Sequence, residues 1–277
     1  MVLSMLAPLC FVAPVGLEDA EEVVYKKTAT RPLSLYLIAP KVKATKPGPA
    51  IVFFFGGGWV GGSVLQFASQ ARHFAAQGYL VALVDYRVKQ RDETTPFEAV
   101  MDARSAVRWM RANAAARGVD PRRIVAAGGS AGGHVAGATA VLTGPDDPQD
   151  DLRVSARPDA LLLFNPVVDT TETGYGAKLI GARARELSLT HHVGRGLPPA
   201  MIFHGTADRT VPFANVVEFQ RVMQSAGNRC ELVRFEGEDH GFFNSVEFRA
   251  KNSAVIYGDI VARATKFLNG LFGLGGS

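Results

Sequence analysis

Apolar positions along the chain fall into short blocks separated by amphipathic stretches. Between Glu21 and Pro40, the runs VVYKK and LSLYLIA alternate apolar and polar residues with period two, which predicts half-buried strands. The Lys/Pro/Gly stretch from Lys41 to Pro49 predicts a turn. AIVFFF follows as an unbroken apolar run, the pattern of a parallel strand covered on both faces. Five further runs predict strands: YLVALVDYR, RIVAAGG, ALLLFNPVVD, AMIFHGTAD and CELVRFEG. Helical periodicity occupies the intervals at Gln66–Gln77, closed by Gly78, and at Pro96–Ala116, where Val100, Ala103, Val107 and Met110 share one side. It recurs at His134–Leu142, Phe213–Ala226 and Ala254–Leu268.

Strand and helix thus alternate after a β-rich start. This predicts an α/β fold: a mostly parallel central sheet of about eight strands, flanked by helices, with the earliest strands antiparallel. Right-handed crossovers would align the carboxyl ends of the strands along one edge, where sites form in open sheets. No internal repeat divides the 277 residues, so a single domain over 21–270 is expected. An apolar segment, 1–20, precedes it, and a fraying tail, 271–277, follows. The segment MVLSMLAPLCFVAPVGL is too short to span a bilayer and lacks a basic start or an A-x-A site. A secretory-signal remnant and a segment lying on the core both fit it, so export and cytoplasm stay open.

Composition narrows the function classes. A content of 47% hydrophobic and 20% charged residues suits a folded globular chain. The net charge of +4 is modest, and Arg104, Arg108, Arg111, Arg117, Arg122 and Arg123 are spread along amphipathic segments rather than massed, against a nucleic-acid partner. Cys10 and Cys230 form neither a disulfide framework nor a metal spacing. No later segment reads as membrane-inserting.

Gly128-Gly129-Ser130-Ala131-Gly132 matches G-x-S-x-G where a strand turns directly into a helix. A nucleophilic serine on such a turn needs small neighbours, because strand and helix approach closely there. It also needs a base and an orienting acid. His240, in EGEDHGFF after the last predicted strand, lies on the same sheet edge. His73 sits within a helix, His134 on the elbow helix, His191 and His192 in an inter-element loop, and His204 at a strand end where burial is expected. Asp208, in HGTADRTVP, is the favoured acid. Asp169, one strand earlier, is its rival, and Asp239 adjoins His240 too closely in sequence. The order Ser130, Asp208, His240 follows.

FFFGGGWVGGS contains a formal G-x-G-x-x-G at Gly56, Gly58 and Gly61. A dinucleotide site would need a helix starting on those glycines, yet helical periodicity starts near Gln66 and Trp59 fills the loop. The acid Asp85 also lies about 29 residues beyond Gly56 rather than about 20. An oxyanion loop fits better, with Gly56, Gly57 and Ala131 as the candidate amide donors.

Taken in order, GGGW, DYR, GGSAGG, HGTAD with VP, and DHGFF resemble the α/β-hydrolase superfamily, in its esterase/lipase branch of acetyl-esterase-like proteins related to hormone-sensitive lipase. The resemblance runs from about Pro49 to Leu268. It implies the α/β-hydrolase fold, a serine esterase mechanism and no metal or organic cofactor. Members usually place His before the three glycines, where this chain has Phe55, which favours a neighbouring group of carbohydrate-esterase-like hydrolases. Only a minimal cap is available, from Thr170 to Pro198, and it is short and polar. That implies short acyl groups, acetyl above all, on a small-molecule or carbohydrate ester, with Trp59, Tyr175, His191 and Phe242 as pocket residues. A peptidase or amidase of the same fold, a non-catalytic binding protein and a dinucleotide-dependent oxidoreductase are the alternatives.

Overall fold

The computed structural model describes residues 14–41 and 45–274. The possible signal remnant therefore lies mostly outside the described residues. Within 14–20, Leu17 is fully buried, and Arg72 holds the turn by ion-pairing with Asp19 at 2.8 Å.

Eight strands form one sheet: β1 (Glu21–Lys27), β2 (Pro32–Ile38), β3 (Gly48–Phe54), β4 (Leu80–Val84), β5 (Val119–Gly129), β6 (Ala160–Phe164), β7 (Ala200–Gly205) and β8 (Cys230–Phe235). Their spatial order is β1-β2-β4-β3-β5-β6-β7-β8. β1 and β2 pair antiparallel, β2 also runs antiparallel to β4, and every other pairing is parallel. This is the mostly parallel arrangement expected from the pattern, and the α/β-hydrolase fold that the resemblance implies.

Five main helices cover the sheet: α1 (Ala68–Ala76), α2 (Pro96–Ala112), α3 (Ala131–Val141), α4 (Phe213–Ser225) and α5 (Ala254–Phe272). The period of two along β3 divides its side chains between two cores. Val52 and Phe54 join the layer under α2, α3 and α4, while Ile51 and Phe53 join the layer under α1 and α5. Phe53 stacks on Phe67 at 4.8 Å. Burying each such side chain contributes about 1.5–3 kcal/mol, so an apolar run without alternation is what a doubly covered strand requires.

Three element boundaries differ from the expected ones, each for a local reason. α2 starts with a capping box, Thr95 with Glu98, and stops at Ala112, four residues early, because the chain tightens into a 3₁₀ turn at Ala115–Arg117. α3 begins at Ala131 instead of His134, directly on the elbow. α5 does not fray at 271 but continues to Phe272, since Leu268 is buried and Leu271, Phe272 and Leu274 pack on the α1/α5 core. Gly273 then closes it in the left-handed conformation.

Candidate active site

The carboxyl ends of β3, β5, β7 and β8 meet at one edge. At the end of β5 the backbone of Ser130 adopts φ 56° and ψ −122°, a strained conformation for a side-chain-bearing residue. It is held there by its amide, which donates to the Phe164 carbonyl at 2.9 Å, and by α3 starting on the next residue. Close approach explains the flanking glycines: a Cβ on Gly132 would overlap the Phe54 and Phe55 carbonyls.

The Ser130 hydroxyl lies 2.9 Å from His240 Nε2, and His240 Nδ1 lies 2.7 Å from Asp208 Oδ2. Ionised Asp208 can only accept, so Nδ1 carries a proton and Nε2 presents a lone pair to the serine O–H. The Asp208 side chain is fully buried; its Oδ1 accepts the Thr210 and Val211 amides at 2.9 Å each. Burial raises this carboxyl, but hydrogen bonds from His204 and His240 and the Val211 amide outweigh it and hold the group well below the usual carboxylate range. His204 is itself fully buried, with Nε2 donating to the Val211 carbonyl at 3.0 Å and lying 3.3 Å from Asp208 Oδ2.

The structure does not bring the rival acids into this relay. Asp169 instead accepts from Thr171, Thr173 and Ser188, and Ser188 in turn bonds His191 Nδ1 at 2.7 Å. Burial opposes ionisation of Asp169, and those hydrogen bonds overcome it, keeping its pKa lowered. Asp169 thereby staples the start of the Thr170–Pro198 segment. Asp239 faces solvent beside Arg249 and Lys251.

The glycine loop after β3 differs in one donor from expectation. The Gly56 amide is taken by Gln66 Oε1 at 2.6 Å and is not free to hold an oxyanion. The amides of Gly57 and Ala131 have no partner among the described residues. Gly57 and Gly58 have φ of +131° and +63°, which folds the loop back over Ser130. Nor does the loop lead into a helix N-terminus: a 3₁₀ turn, Val64–Phe67, intervenes before α1, and the Asp85 carboxylate is paired with Arg31 and Arg91. A dinucleotide fingerprint is thus formal only. Phe55, where the resemblance leads one to expect His, stacks on Tyr86 at 4.2 Å, and the Tyr86 hydroxyl donates to the Phe55 carbonyl at 2.5 Å. Burial pushes the Tyr86 phenol well up, so it remains a donor. Arg87 locks the same segment by a two-pronged contact with buried Asp102, at 2.8 and 2.7 Å.

A cavity of about 370 Å³ opens over Ser130, walled by Gly56, Gly57, Gly58, Tyr175, Phe243 and the His240 loop. Of the four expected pocket residues only Tyr175 lines it. Trp59 is buried beneath, against Tyr175 and edge-on to His134. Phe242 is buried in the core against Phe235, while its neighbour Phe243 is the one that faces the cavity. His191 is exposed on the cap, held by Ser188, and lines no part of it. A second cavity of about 1110 Å³, between the glycine loop and the cap segment, shares Gly58 and Tyr175 with the first.

Residues outside any motif complete the site. Asn165, at φ 34°, accepts the Gly241 amide at 3.0 Å. Asn252 donates to the Gly241, Phe242 and Asn244 carbonyls, and Arg249 donates to the His240 carbonyl at 2.5 Å. Together they hold the imidazole loop. Among the described residues, no group of His, Cys, Asp and Glu side chains could hold a metal ion, and no helix is long and apolar enough to cross a membrane.

A family model described as BD-FAE matches residues 35–223. Esterase LipC of Mycobacterium tuberculosis is 31% identical over 221 residues, covering 72% of this chain and 54% of that protein. An acetylxylan esterase of Xylanibacter ruminicola is 30% identical over 212 residues, 70% of this chain and 41% of that one. The chain therefore spans about half the length of the curated relatives it matches. Among solved structures, Thermogutta terrifontis esterase 2 phosphoramylated by tabun superposes with a TM-score of 0.88 at 42% identity, over 94% of this chain and 98% of that one. The same esterase with propionate bound superposes with a TM-score of 0.87 at 42% identity, over 94% of this chain and 97% of that one.

Proposed function

The chain belongs to the BD-FAE family, within the esterase/lipase branch of the α/β-hydrolases, and from that premise we propose that it hydrolyses carboxylic esters through Ser130, His240 and Asp208. The observation that carries this is the continuous relay of 2.9 and 2.7 Å contacts from serine to imidazole to buried carboxylate, beside two amides without a partner among the described residues. Ser130 attacks the ester carbonyl as His240 Nε2 takes its proton, and Asp208 stabilises the imidazolium that forms. The Gly57 and Ala131 amides receive the developing oxyanion, while Gln66 fixes the loop through Gly56. His240 then protonates the departing alcohol, and water activated by the same imidazole releases the acid.

We further assign the substrate to short-chain, chiefly acetyl, esters of polar alcohols such as sugars. The small cavity over Ser130 supports this, with Tyr175 standing at the border between it and the larger space beyond. The names of an acetylxylan esterase relative and of a propionate-bound neighbour point the same way. Purified protein should hydrolyse 4-nitrophenyl acetate, and Ser130→Ala should lose that activity by as much as about 10⁶-fold if the three residues act as a unit. A rate unchanged in that variant would exclude Ser130 as nucleophile. An ester series from acetate to octanoate tests acyl length, and a preference for octanoate would overturn the short-acyl assignment.

A further inference from the structure

Beside the small cavity lies a cleft of about 560 Å³ lined by Ala207, Arg209, Thr210, Asp239, His240 and Arg249. The two spaces share Thr210, His240 and Arg249, so they adjoin at the imidazole. Two guanidiniums face this cleft against one carboxylate. Arg249 spends Nη1 on the His240 carbonyl and stands 3.8 Å from Asp239, which Lys251 approaches at 3.6 Å. Arg209 is exposed and has no ion pair or side-chain hydrogen bond among the described residues. The imidazole delivers its proton to the leaving alcohol, so the alcohol half of the ester must lie on this side, with the acyl half toward Gly58 and Tyr175.

We propose that Arg209 and Arg249 form a subsite for an alcohol that carries a carboxylate, so that the preferred substrates are acyl esters of acidic alcohols such as sugar acids. This rests on the hydrolase reading above. A guanidinium fork matches a carboxylate in both geometry and charge, and that of Arg249 is partly shielded by the cleft walls. Asp239 sets a ceiling on the effect by competing for Arg249.

The test compares two acetates with similar phenol leaving groups, 4-acetoxybenzoate and the uncharged 4-acetoxybenzamide. The native enzyme should favour the anionic ester in kcat/KM at low ionic strength by about three- to tenfold, the size of a partly shielded ion pair. Added 0.5 M NaCl should erase most of that ratio. Arg209→Gln should bring the ratio toward one, and Arg209→Glu should invert it. Arg249→Lys keeps the charge but loses the fork, and should lower the ratio less than Arg209→Glu does. A native ratio at or below one, or a ratio indifferent to salt and to both Arg209 variants, would overturn the subsite. Loss of turnover on both esters alike in Arg249→Lys, with the ratio kept, would mean that Arg249 only braces the His240 loop and would equally overturn its part. Native enzyme inactive on both esters would instead overturn the hydrolase reading, and the subsite with it.

Discussion

His134 should make the fold sensitive to mild acid. Its ring is fully buried on α3, edge-on to Trp59 at 5.1 Å, and Nε2 donates to the Leu187 carbonyl at 2.8 Å. Nδ1 has no partner among the described residues, so the imidazole is neutral in the folded chain. Burial pushes its pKa down to about 4 from 6.5, the Leu187 carbonyl opposing only weakly. In the unfolded chain it would take up a proton near 6.5. Between those values the unfolded state binds more protons, so stability falls as pH falls, starting near 6.5 and finishing near 4. At about 1.4 kcal/mol per pH unit, the loss is about 3 kcal/mol. Urea unfolding at a series of pH values from 7.5 to 4 would measure it, with His134→Gln as the reference that keeps an amide donor and cannot titrate. The native chain should lose about 3 kcal/mol more than the variant over that range. Parallel stability curves would refute the reasoning, because they would mean that the ring does not stay neutral while its surroundings stay folded.

Two other outcomes follow from the loops around Ser130. Tyr175→Ala should join the small cavity to the larger one and move acyl preference from acetate toward hexanoate or longer, read from kcat/KM across the 4-nitrophenyl series. Tyr86→Phe leaves the Phe55 carbonyl without its hydroxyl partner, so stability to urea should fall by about 1–3 kcal/mol and kcat should drop more than KM rises.

The sheet and its helices were legible because β3, β4, β6 and β7 are covered on both faces, which writes itself as largely unbroken apolar runs. The elbow was legible for a different reason: only a tight strand-to-helix turn needs glycine on both sides of a serine. What escaped notice depended on side chains crossing between elements. Gln66 reaches back ten residues to occupy the Gly56 amide, and nothing in the glycine spacing signals that. Phe242 and Phe243 differ by one position in a turn without periodicity, so the pattern offers no way to tell core from cavity there. His191 sits in a cap of single helical turns, where the same difficulty applies. Asn165, Asn252 and Arg249 belong to no motif, and only the carbonyls and amides of the His240 loop reveal their role. At the carboxyl end, the terminal position suggests fraying from 271, but Leu271 and Phe272 pack apolar surface against the α1/α5 core.

Phe55 carries one more implication. An imidazole in that place would be a brace whose strength followed its own protonation and the surrounding salt. A phenyl ring stacked on a phenol has neither dependence, and Tyr86 holds the same residue's carbonyl with a group that stays un-ionised at ordinary pH. The glycine loop is thus braced by packing and by a neutral hydrogen bond rather than by a group that titrates near neutrality. In the proposed reading, substitutions around His240 can therefore be made without touching the Phe55–Tyr86 brace that holds the shape of the glycine loop.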